Sequence, residues 1–129
     1  MIDIYALVAP NGQLDFLEGI TDRMPAFTDP HHGAISAFTI QQAARGNNGL
    51  QGYISQASYI DSVRYPPNRI GRHLVEDLGG SGKYIFGNLA ICGTRTRHGK
   101  PGFTPCGLTE EQRQTIQYVH TDLISWGCF

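Results

Sequence analysis

The chain opens on a period-two pattern. Ile2, Ile4, Ala6 and Val8 alternate with Asp3, Tyr5 and Leu7, which predicts a strand. Asn11-Gly12 is a tight-turn signal, and Gln13 to Leu17 alternates again, so the first seventeen residues read as a β-hairpin. Residues 19–33 mix Gly, Pro, Asp and two adjacent His and read as loop. From Ala34 to Arg45 the apolar residues fall at helical spacing and stop at Gly46, a residue suited to capping a helix C-terminus. Leu50 to Arg64 is β-like, carrying Tyr53, Ile54, Tyr59, Ile60 and Val63, with a bulge or turn expected at Gln56-Ala57-Ser58.

Tyr65-Pro66-Pro67-Asn68 breaks that strand. A helix is predicted from about Asn68 to Leu78, with Ile70, His73, Leu74 and Leu78 on one face and Gly79-Gly80 at its end. Lys83 to Cys92 reads as a core strand and Gly93 to Gly107 as a long polar loop. The last helix carries the clearest start signal. Thr109 with Gln112 three residues on forms a capping-box pattern, Glu110 and Glu111 suit the positive helix end, and Ile116, Val119, Leu123 and Ile124 supply a core stripe. The pattern predicts an α+β fold: a mainly antiparallel sheet of about four or five strands, with two or three helices packed mostly on one face. At 129 residues, without repeat or linker, residues 1–129 are expected to form a single domain.

Charge adds what periodicity cannot show. The formal net charge is −1, yet residues 1–63 carry −4, residues 64–100 carry +5 and residues 101–129 carry −2. The basic third holds Arg64, Arg69, Arg72, Lys83, Arg95, Arg97 and Lys100. With Asn68 and His98, these are the candidate ligands for an anion, since Arg can grip a phosphate or carboxylate bidentately. Tyr65 and Tyr84 stand among them as candidate stacking platforms. The partner expected is a phosphate-bearing small molecule or an acidic protein surface. Nucleic acid is a weaker expectation for a chain of near-zero net charge.

Catalytic and cofactor signatures are missing. Gly79-Gly80-Ser81-Gly82-Lys83 resembles a phosphate loop only in part, because Asp77 and Tyr84 occupy positions that need Gly and Ser or Thr, and the segment follows a helix instead of opening one. Asp29-Pro30-His31-His32 has no further His or Cys at metal-like spacing. Cys92, Cys106 and Cys128 form no CxxC pair, so reduced thiols in a cytoplasmic protein are expected. We therefore expect no catalytic residue, no metal and no cofactor. The alternatives are a small nucleotide-acting enzyme using His98 or His73 as acid or base, and a nucleic-acid-binding regulator. The first residues lack a signal-peptide pattern and no apolar run reaches membrane-spanning length. A homodimer is compatible with the size but marked by nothing in particular.

Four short segments, Gly52-Tyr53-Ile54, Pro67-Asn68-Arg69, Ile85 to Gly93 (IFGNLAICG) and Leu108-Thr109-Glu110-Glu111-Gln112, occur in an order that resembles an uncharacterised family of small proteins from phages and conjugative elements. The resemblance implies a mobile-element origin, and through it a role in replication control or in countering host defence, for instance by sequestering a nucleotide signal or blocking a defence protein.

Overall fold

In the computed structural model, residues 3–19, 34–44, 48–58, 60–61, 63–81, 84–97 and 102–127 are described. In chain order they form β1 (Asp3–Val8), β2 (Leu14–Gly19), β3 (Ile35–Gln41), β4 (Gly49–Ser55), α1 (Arg69–Asp77), β5 (Leu89–Thr96), β6 (Phe103–Cys106) and α2 (Glu110–Ser125). The six strands make one sheet in the order β2-β1-β5-β4-β3, all pairs antiparallel, with β6 added to β5. The fold is α+β, as the sequence predicts.

The hairpin is where the alternation places it. Asp3 pairs with Gly19 and Val8 with Leu14. The Gly12 N–H donates to the Ala9 carbonyl and the Ala9 N–H to the Gln13 carbonyl. Gly12 at φ 91° supplies the left-handed residue of this three-residue connection.

Ala34 to Arg45 departs from its helical reading. Ile35–Gln41 is a strand paired with β4, Phe38 opposite Gly52 and Ile35 opposite Ser55. Ile35, Thr39 and Ile40 are β-branched and Phe38 is aromatic, and the register shift between Thr39 and Gln41 explains why a period-two pattern is hidden. Residues 45–47, with the expected cap Gly46, lie outside the described residues. β4 stops at Ser55, so the strand expected to reach Arg64 ends early, and 56–58 is a turn. The expected strand at Lys83–Cys92 is shifted along the chain to Leu89–Thr96. Gly87 causes the break: its φ is 75°, and a Cβ there would approach Tyr65 Cδ1 to 2.8 Å. The expected polar loop at 93–107 contains the rest of β5 and all of β6, whose Thr- and Arg-bearing residues pair beyond the edge of the apolar core.

Both helices pack on one face of the sheet. Ala6, Val8, Leu50, Ile54, Leu89 and Ile91 meet Ile70, Leu74, Val75 and Leu78 of α1 and Ile116 and Leu123 of α2. The opposite face carries a smaller cluster of Tyr5, Ala90 and Cys92. α2 starts with the predicted box: the Gln112 N–H donates to Thr109 Oγ1 at 3.1 Å, and the Thr109 N–H to Gln112 Oε1 at 3.0 Å. Gln112 Nε2 also donates to the Gly49 carbonyl at 3.0 Å, tying the helix start to β4.

α1 is held by Asn68, which is 1% exposed. Its Oδ1 accepts from the Gly71 N–H at 2.9 Å. Its Nδ2 donates to the Val8 carbonyl at 2.9 Å and to the Gly87 carbonyl at 2.8 Å. Its own N–H donates to the Ile85 carbonyl at 2.8 Å. One side chain thus caps a helix, closes the end of β1 and holds the turn before β5, with both amide protons used. Asn68→Ala removes a cap, a loss of about 1 kcal/mol, and takes a hydrogen bond from two buried carbonyls, of which Val8 keeps its β1–β5 ladder pairing, so a total of about 2–4 kcal/mol is expected in urea unfolding. Asn68→Ser, which can keep the cap, is expected to lose less.

Candidate functional site

Asn68 bonds to Val8, and Val8 pairs with Leu89, so the start of α1 lies at the N-terminal end of β5. Arg95 lies six residues further along β5, paired with Thr104 of β6. At about 3.3 Å per residue, roughly 20 Å of strand separates the two positions. The basic third of the sequence is therefore split between the two ends of the sheet. Arg64 and Arg69 sit at the α1 end, and exposed Arg95 and Arg97 at the β5–β6 end. Lys83, His98 and Lys100 lie outside the described residues.

Carboxylates engage two of the arginines. Arg64 Nε lies 3.5 Å from Asp61 Oδ2. Arg72 Nε lies 3.3 Å from Glu76 Oε1, one helical turn on. The Arg72 guanidinium also lies over the Tyr84 ring, 4.5 Å from its centroid. Such pairs are half exposed and contribute little to stability. They orient the arginines and lower the free charge each presents.

Two of the expected ligand residues belong to the interior. Asn68 has no side-chain amide proton left for a ligand, as its bonds to Val8 and Gly87 require. Tyr65 is 5% exposed and packs on Gly87, so it presents no stacking face. Tyr84, 65% exposed, is the one of the two tyrosines at the surface. His120 Nε2 lies 2.7 Å from the Gly12 carbonyl oxygen, which engages that nitrogen with the hairpin turn.

The sequence pattern gives no sign of two other features. Ile60 and Val63, expected inside a strand, are 87% and 91% exposed in the connection from β4 to α1, next to Arg64. Hollows among the described residues include two that bear on ligand binding. One, of about 630 Å³, lies between the first turn of α2 and the β3–β4 side, lined by Gln41, Asn48, Thr109, Glu111 and Gln112 among others. The other, of about 430 Å³, lies between β2 and α2, with Phe16, Arg113 and Tyr118 in its lining. Neither lining includes Arg64, Arg69, Arg72, Arg95 or Arg97.

On the opposite face of the sheet, burial pushes the Cys92 thiol up to about 12, against a partial lowering by its hydrogen bond to Tyr53. Burial also raises the Tyr53 hydroxyl and the Cys106 thiol. These are packing groups held in their neutral forms, the reverse of an activated nucleophile.

Compared with models of known protein families, with curated proteins and with solved structures, the chain gives no match in any of the three. Among the described residues no helix is long and apolar enough to cross a membrane.

The Cys92 thiol is expected to resist alkylation at pH 8 in the folded protein and to react on unfolding, as read by mass spectrometry. Stability should fall as pH rises above about 9, where the unfolded thiol ionises and the folded one keeps its proton. The loss from this group is at most about 1.4 kcal/mol per pH unit, measured as a shift of the urea midpoint.

Proposed function

We propose that the protein is a non-enzymatic binding module that engages an acidic protein surface through the β4–α1 connection and the first turn of α1. The observation that carries this reading is the exposure of Ile60 and Val63, 87% and 91%, beside the exposed arginines Arg64 and Arg69. Burying either aliphatic side chain against a partner is worth about 1.5–3 kcal/mol, and the arginines add orientation and rate of encounter. Loops held by a rigid scaffold are common sites of recognition, and here the scaffold end is fixed by Asn68.

The division of the basic residues between two ends favours a protein partner over a small phosphate-bearing ligand. A small anion needs cations converging on one hollow, and neither hollow described above has an arginine of this set in its lining. The resemblance to small phage and conjugative-element proteins suggests a setting in which covering an acidic surface blocks a host protein.

Affinity capture on the immobilised full chain, from lysate of its expressing cells, tests the reading. A captured acidic protein is expected to be lost on Ile60→Ser/Val63→Ser and, by at least about tenfold in affinity, on Arg64→Glu/Arg69→Glu. Arg95→Glu/Arg97→Glu should leave it bound. Binding that follows Arg95 and Arg97 instead, or turnover of a nucleotide by the purified protein, contradicts it.

A further inference from the structure

The groove between β2 and α2 lies on a different part of the molecule. β2 is the end strand of the sheet, and no strand among the described residues pairs with its outer side. Its register fixes which groups face outward. Ala9 and Gln13 share a ladder hydrogen bond, so bonded pairs alternate from there along the hairpin. The N–H and C=O groups of Leu14, Phe16 and Glu18 therefore point away from β1. Beside this edge, Phe16 and the 74%-exposed Tyr118 of α2 border the hollow of about 430 Å³.

Charge selects the occupant. Glu18 and Asp15 are exposed on β2, on opposite faces because the strand alternates. Glu110 lines the groove from the first turn of α2. None of the three has an ion-pair partner among the described residues. Arg113, in the same lining, offsets one of them and leaves the site net negative. Its Nε is buried without a hydrogen-bond partner. A second copy adding its own β2 would add two more carboxylates, its Asp15 and Glu18, to an edge that is already net negative, which disfavours a symmetric edge-to-edge dimer.

We propose that the free edge of β2 and the Phe16–Tyr118 groove accept an extended basic peptide segment of a partner protein as an added strand. Main-chain hydrogen bonds to Leu14, Phe16 and Glu18 hold the peptide. Its apolar side chains enter the groove, and its lysines or arginines meet Glu18 and Glu110 on one face and Asp15 on the other. This surface is independent of the β4–α1 connection, and either can fail without the other.

The test titrates the isotope-labelled full chain with a short acetylated peptide repeating Lys-Lys-Val-Val, which puts lysine and valine on both faces of an added strand, followed by amide NMR shifts. Saturable binding with a Kd below about 1 mM is expected, with the largest shifts at Leu14, Phe16, Glu18 and Tyr118. An N-methylated peptide that lacks the main-chain donors, and a peptide with glutamate for lysine, should each bind at least about tenfold more weakly. Glu18→Lys/Glu110→Lys, checked for folding by circular dichroism, should reverse the charge preference. Tyr118→Ala, a change at the surface, should weaken binding of the lysine peptide. Equal binding of the three peptides, shifts centred away from β2, or no binding to the folded protein overturns the proposal. A concentration-dependent dimer that buries β2, seen by sedimentation without peptide, overturns it in favour of a second copy.

Discussion

A buried carboxamide holds this structure together. Asn68 donates to the Val8 and Gly87 carbonyls and accepts from the Gly71 N–H. In a site that is 1% exposed, the Gly71 N–H and the Gly87 carbonyl would lose this partner where water does not reach, while Val8 keeps its place in the β1–β5 ladder. Asn fits because one side chain offers two donors and an acceptor without charge. Asp would lack the donors, and a shorter hydroxyl would not span both carbonyls. The start of α1, the end of β1 and the turn before β5 meet at this point, so the packing of Ile70 and Leu74 onto the sheet depends on it.

The same junction sets where charge lies. With α1 anchored at the start of β5, Arg64 and Arg69 share an end with Asn68, while Arg95 and Arg97 ride on β5 to the other end. A stretch that is strongly basic in sequence becomes two smaller basic regions facing different surroundings. Glu110, in the first turn of α2, lies in the lining of a further groove beside β2, away from both.

The elements legible in the sequence are those whose determinants are local. The Asn11-Gly12 turn needs only its own residues, and the Thr109–Gln112 box needs only one helical turn. β3 was not legible because its partner β4 and the irregularity after Thr39 decide its structure, and helical spacing over twelve residues cannot report either. β6 is a strand because β5 runs past the core and pairs with it, Thr96 opposite Phe103, a pairing that no apolar pattern announces. At the candidate site, the exposure of Arg64, Arg69 and Tyr84 could be anticipated from residue type. The roles of Asn68 and Tyr65 could not. A polar residue before a helix and a tyrosine beside arginines read as ligands until the chain returns at Gly87 to bury both.

That Asn68 is a buried clasp and not a ligand residue can be read from NMR of its side-chain amide in the full chain. Two separate, slowly exchanging Nδ2 protons are expected, with couplings across hydrogen bonds to the Val8 and Gly87 carbonyl carbons. A side-chain amide that exchanges with solvent at the rate of an exposed Asn, without those couplings, would contradict the account.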